Sequence, residues 1–126
     1  MKTYAFIFAR GGSKGVARKN IRSLAGKPLL VYSIELAKKI ELIDKVFVST
    51  EDPEIANVAL DNGVNVIDRP GELALDDTPE WLVWQHAIEW IQERGDDFDV
   101  FLVSTNPWVL SFEARQAAYP RLTFPG

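Results

Sequence analysis

The chain has 126 residues, 47% of them apolar and 25% charged, with a formal net charge of −4 and a pI of about 5.0. That balance suits one globular domain with a single core, and the acidic total argues against a polynucleotide binder. Cysteine is absent, which excludes disulfides and thiolate metal sites. No apolar run reaches the length of a membrane span, and the N-terminus lacks the basic-then-apolar pattern of a secretory signal, so a cytoplasmic protein is expected.

Residues Tyr4 to Phe8 form a near-continuous apolar run, as in a strand buried on both faces. The run leads into Ala9-Arg10-Gly11-Gly12-Ser13-Lys14-Gly15 and then Arg18-Lys19-Asn20. Glycines at 11, 12 and 15 allow close backbone approaches, and free amides in such a loop can converge on phosphate oxygens. Arg10, Lys14, Arg18 and Lys19 concentrate positive charge in an otherwise acidic chain. Spacing excludes two common phosphate loops. Ser13 precedes Lys14 where the Walker pattern needs Gly-Lys-Ser/Thr, and no Gly-x-Gly-x-x-Gly is present. The loop is either a small-molecule phosphate site or a glycine turn flanked by solvated cations.

A helix is expected to start near Pro28, at a first helical position. Leu29, Leu36 and Ile40 would carry its buried stripe, beside Leu30, Ile34 and Ala37. Lys45 to Thr50 reads as a second strand. Asp52 then opens a helix over Pro53 to Asn62, which Gly63 stops. Val64 to Asp68 is a third strand. Thr78 with Pro79 is expected to cap a third helix ending before Gly95. Trp81, Trp84, Ile88 and Ile91 make an apolar stripe on that helix, read as core or subunit interface rather than a base-stacking platform. Asp99 to Val103 supplies a fourth strand.

The order β-α-β-α-β-α-β predicts an α/β fold with a mostly parallel sheet and helices on both faces. Ligands of such sheets bind beyond the carboxyl ends of the strands. The Arg10 loop, the Thr50–Asp52 turn, the Arg69 loop and the Ser104–Leu110 loop would all lie at that edge.

The run from Ala9 to Gly15, with Arg18-Lys19-Asn20-Ile21, resembles the signature loop of the CMP-sialic acid synthetases (N-acylneuraminate cytidylyltransferases). Leu24-Ala25-Gly26-Lys27-Pro28-Leu29, Val48-Ser49-Thr50-Glu51-Asp52, Glu54-Ile55-Ala56 and Arg69-Pro70-Gly71-Glu72-Leu73-Ala74 agree with it. The resemblance covers roughly residues 3 to 102 and implies a Rossmann-like nucleotidyltransferase fold. It implies transfer of CMP from CTP to an acidic nine-carbon sugar, with release of pyrophosphate. A legionaminic, pseudaminic or deoxyoctulosonic acid is the alternative acceptor, and a non-catalytic nucleotide-binding or interaction module is the alternative role.

By this resemblance Arg10, Ser13, Lys14 and Lys19 would hold the triphosphate, with Lys19 and Arg10 as the catalytic cations. Asn20 would anchor the nucleotide, and Gly11, Gly12 and Gly15 would let the loop close. Arg69 matches a nucleotide-site arginine, and a salt bridge to Glu72 or Asp76 would equally explain it. Asp76 and Asp77 are either loop-shaping or helix-start charges. His86 reads as structural. Mg²⁺ or Mn²⁺ is expected from the family, with no protein ligands identifiable in this chain.

The pattern departs from the family near residue 103, where Val103 stands for a glutamine and Val109 for an arginine. Residues 1–110 are therefore expected to be the N-terminal part of a nucleotide-binding domain, truncated or diverged, and 111–126 a divergent tail. Ser111 is expected to cap a short helix through Ala118. Uncovered sheet edge and helix faces would make the chain self-associate, as a homo-oligomer or with a partner.

Overall fold

The computed structural model describes residues 2–11, 23–24, 27–75, 77–106 and 109–115. Its strands are β1 (Thr3–Phe8), β2 (Ser23–Leu24), β3 (Lys27–Pro28), β4 (Lys45–Thr50), β5 (Asn65–Asp68), β6 (Val100–Asn106) and β7 (Val109–Arg115). Its α-helices are α1 (Leu29–Lys39), α2 (Pro53–Asp61) and α3 (Glu80–Glu93), with a 3-10 turn at Gly71–Leu73. Strands β2 and β3 form a small antiparallel pair. The other five make one sheet in the order β5-β4-β1-β6-β7.

Strand β1 organises this sheet because it is apolar on both faces. Tyr4, Phe6 and Phe8 alternate with Ala5, Ile7 and Ala9, so period-2 geometry sends the rings one way and the smaller side chains the other. On the ring side, Phe6 lies 4.6 Å from Phe101 and 5.4 Å from Phe47, centroid to centroid. Helix α3 covers these rings with Ala87, Ile88 and Ile91. On the opposite side, Ala5, Ile7 and Val48 pack under Leu30, Ile34 and Ala37 of α1 and Ile55 and Ala59 of α2. The result is three layers, as expected.

Chain order then places a crevice. Helices α1 and α2 carry the chain outward from β1 to β4 and β5 on one face, while α3 returns it to β6 on the other. Strand β1 is parallel to both β4 and β6. The direction of winding therefore reverses between β1 and β6, the switch point at which sheets of this kind form a crevice beyond the carboxyl ends.

Local signals work well in α2. The Asp52 side chain accepts from the Glu54 and Ile55 amides at 2.8 and 3.3 Å, and Gly63 turns the chain with φ 77°. Other expectations shift. Pro28 precedes α1 as its N-cap, and the fully buried stripe of that helix is Leu30, Ile34 and Ala37, with Leu36 and Ile40 only half-buried. Thr78 does not cap α3. Pro79 occupies the cap position without a side-chain bond, and the Thr78 hydroxyl instead accepts from the Leu75 amide at 3.1 Å. The buried stripe of α3 is Val83, Ala87, Ile88 and Ile91, and Trp81, in the first turn at the border of that stripe, is 39% exposed.

The largest correction lies after β6. That strand runs to Asn106 instead of ending at Val103, and in place of a helix from Ser111 there is β7, antiparallel to β6. Val109, Leu110 and Phe112 have the branched and aromatic character that a strand favours. An unpaired edge on β6 offers a whole ladder of backbone partners, which outweighs a possible Ser111 cap. Residue 110 thus falls inside a strand. The part of the expected helix beyond Arg115 lies outside the described residues.

Candidate functional site

Strands β1, β4 and β5 all end at the crevice edge, and their last residues are laced together. The Ala9 amide donates to the Ser49 carbonyl at 3.0 Å, one rung past the end of β1. The Arg69 amide donates to the Thr50 carbonyl at 3.0 Å. Parallel pairing therefore delivers Arg10 and Gly11, Glu51 and Asp52, and Arg69 to one place, although 59 positions separate Arg10 from Arg69.

Arg69 is 5% exposed. Its Nε donates to the Ser49 hydroxyl at 3.2 Å, one terminal nitrogen to the Ser49 carbonyl at 2.9 Å, and the other to the Leu73 carbonyl at 3.5 Å. Burial lowers its pKa to about 10, the charge of Glu51 opposes that fall, and Arg10 adds to it. The guanidinium remains charged at neutral pH. Its described bonds go to Ser49 and Leu73, not to Glu72, and Asp76 lies outside the described residues.

Arg10 extends from the end of β1 to the Ala74 carbonyl, 3.3 Å away. It reaches the Arg69 loop in this way and shares its electrostatic field. The Gly11 amide donates to the Glu51 carboxylate at 3.1 and 3.2 Å. Gly11 also lies against the α2 cap so closely that a Cβ there would run into the Asp52 carboxylate. No residue but glycine fits without moving Asp52.

Of the residues expected to bind nucleotide, Arg10, Gly11 and Arg69 are therefore brought together. Gly12, Ser13, Lys14, Gly15, Lys19 and Asn20 lie outside the described residues. Glu51 and Ser49 were not singled out from the sequence. The available signal was their place in Val48-Ser49-Thr50-Glu51-Asp52, where a strand next to β1 turns into a helix cap. The carboxyl end of β6 also falls at this edge, because β6 runs parallel to β1.

Among the described residues, no group of three or more His, Asp or Glu side chains is placed to hold a metal ion. Glu51 faces the Gly11 amide and Asp52 caps α2. Both carboxylates are thus already engaged, and among the described residues no ligand set for a divalent cation is assigned. No helix among the described residues is long and apolar enough to cross a membrane.

The other polar cluster is at the opposite edge. Asp96 accepts from Lys45 Nζ at 2.9 Å and from the Tyr4 hydroxyl at 2.8 Å, tying the starts of β1 and β4 to the end of α3. It lies away from the crevice and closes the base of the ring-lined core.

Comparison with known proteins bears on the crevice edge. The family model described as cytidylyltransferase matches residues 4–81. A pseudaminic acid cytidylyltransferase of Campylobacter jejuni is 42% identical over 124 residues, spanning 96% of this chain and 53% of that protein. An N-acylneuraminate cytidylyltransferase of Escherichia coli O18:K1:H7 is 40% identical over 87 residues, 69% of this chain and 21% of that one. The chain thus spans about half the length of the first of these relatives. A solved CMP:2-keto-3-deoxy-manno-octonic acid synthetase complexed with CTP superposes with a TM-score of 0.68 at 19% identity, covering 86% of this chain and 44% of that one. At that identity the likeness is one of fold.

Proposed function

The chain belongs to the cytidylyltransferase family, and from that premise we propose that its crevice edge binds CTP and serves transfer of CMP to an acidic nine-carbon sugar of the N-acylneuraminate type, releasing pyrophosphate. The observation that carries this reading is the position of Arg10 and Gly11. They leave the carboxyl end of β1 at the reversal point of the sheet, with the buried charge of Arg69 behind them.

Displacement at the α-phosphate adds negative charge to phosphate oxygens, and fixed cations and amides aimed at that charge lower the barrier. In this reading Arg10, Lys14 and Lys19 neutralise the triphosphate, with Lys19 nearest the developing charge. Ser13, Gly12 and Gly15 supply loop amides and a hydroxyl, and Asn20 holds the nucleotide. Arg69 contributes its field from below. Mg²⁺ or Mn²⁺, when bound, would share neutralisation of the phosphates. Pseudaminate is a second acceptor reading, favoured by the 42% identity to a pseudaminic acid enzyme across nearly the whole chain.

Calorimetric titration of CTP against ATP, with and without Mg²⁺, tests the site. CTP-selective binding that weakens at least about tenfold in Arg10→Ala and in Lys19→Ala is expected, the loss of one charged contact being worth that much. Equal binding of ATP, or no effect of either variant, would sink the reading. Pyrophosphate release with N-acylneuraminate and with pseudaminate then separates the two acceptors.

A further inference from the structure

We propose that Glu51 is a positioning residue: its carboxylate serves as an extra rung of the β1–β4 ladder and aims the loop that begins at Gly11. This rests on the CTP-site reading given above.

In a parallel pair, alternate residues of one strand donate to alternate carbonyls of the next at even spacing. Ala9 donates to the Ser49 carbonyl. The following rung would join the Gly11 amide to the carbonyl of Glu51. Asp52 is already the N-cap of α2 at that point, so the backbone is turning out of the sheet. The Glu51 side chain takes over, and both its oxygens lie 3.1 to 3.2 Å from the Gly11 nitrogen. The first peptide of the loop is thereby tied to β4 beyond the end of the strands. Space beside the same peptide is limited, since a Cβ at Gly11 would run into the Asp52 carboxylate.

The same carboxylate supplies a counter-charge to the buried Arg69. It stands beside a loop proposed to receive a triphosphate, and simple Coulomb repulsion should weaken binding. The charge of Arg69 offsets this, since Glu51 is its principal attractive neighbour. Repulsion and positioning therefore predict opposite signs when Glu51 is truncated.

The test compares wild type with Glu51→Ala, Glu51→Gln and Glu51→Asp in the full chain. Amide exchange at Gly11 is measured without ligand, and CTP affinity by calorimetry. Glu51→Ala should speed Gly11 exchange and weaken CTP binding, each about tenfold, as expected for loss of a charge-assisted hydrogen bond. Ala9 exchange should stay unchanged. Glu51→Gln keeps an acceptor at the same reach and should restore most of both. Glu51→Asp keeps the charge but falls one methylene short, and should resemble the alanine variant. Should Glu51→Ala fail to fold, the glutamine and aspartate variants give the same comparison.

Unchanged Gly11 exchange, or CTP binding that tightens in Glu51→Ala, would overturn the proposal. If wild type binds no CTP while Gly11 exchange still depends on Glu51, the ladder role stands and the nucleotide reading fails.

Discussion

Arg69 grips Ser49 twice, donating from Nε to its hydroxyl at 3.2 Å and from a terminal nitrogen to its carbonyl at 2.9 Å. The same carbonyl accepts from Ala9. One arginine at the end of β5 thus reinforces the junction of β4 with β1, and the crevice edge is held rigid by a residue two strands away.

This relationship predicts the outcome of substituting Arg69. Arg69→Ala should destabilise the fold by about 2 to 3 kcal/mol, because charged hydrogen bonds are lost and the Ser49 hydroxyl is left buried. Arg69→Lys should recover little of that, since an ammonium cannot reproduce the planar fork. Urea unfolding of both variants checks it, and a lysine variant as stable as wild type would show that only the charge matters.

Gly11 and Asp52 should behave as a coupled pair. Asp52→Ala removes the cap of α2 and should cost about 1 to 2 kcal/mol. Gly11→Ala forces a methyl group onto the Asp52 carboxylate and should cost about 1 to 3 kcal/mol. In the double variant the carboxylate overlap has gone and only the 3.0 Å approach to the Cβ at position 52 remains, so the combined loss should fall short of the sum. Strict additivity in urea unfolding would mean that the two do not press on each other.

Asp96 should dominate the acid limb of the stability curve. Its hydrogen bond from Lys45, then that from Tyr4, holds its pKa well below the usual carboxylate range. The folded protein therefore releases this proton more readily than the unfolded chain. Stability from this group is present above the unfolded value of about 3.9 and is lost as pH falls toward the folded value. Asp96→Asn should flatten the profile below that point while lowering stability at pH 7. Denaturation midpoints measured from pH 2 to 7 would show it.

His86 should shape the profile at milder pH. Its Nδ1 is buried without a hydrogen-bond partner among the described residues. Burial, and then the charge of Arg69, lowers its pKa, against the pull of Glu89 and Glu93. The unfolded chain therefore takes up this proton first, and stability should decline as pH drops below about 6.5. His86→Leu should abolish that decline. A thermal midpoint that falls equally in both proteins between pH 7 and 5 would assign the slope elsewhere.

Much of this was legible in short stretches of sequence. The apolar run of β1 and the cap at Asp52 are local features with local causes, and both appear as read. The Gly-rich basic loop carried the family resemblance, which the match over residues 4–81 supports. Signals that depend on what lies opposite fared worse. On spacing alone Trp81 belongs to one helical stripe with Trp84, Ile88 and Ile91, yet Trp84, Ile88 and Ile91 pack on the ring-lined core while Trp81 stays 39% exposed. Ser111 looks like a helix cap until the open edge of β6 is beside it.

By itself, then, the sequence determined the alternation of strands and helices as far as β6, and the family, because periodicity, capping and motif spacing act over a few residues. The alternation already put the loops that hold Gly11, Glu51 and Arg69 at one edge, and only the tertiary structure decided that the Gly11 amide would take the Glu51 carboxylate and that Arg69 would be buried on Ser49. These residues lie on three different strand ends, and the parallel register of β1, β4 and β5 brings those ends together. Backbone rungs align distant residues there, and a carboxylate can stand in for a carbonyl where the ladder runs out.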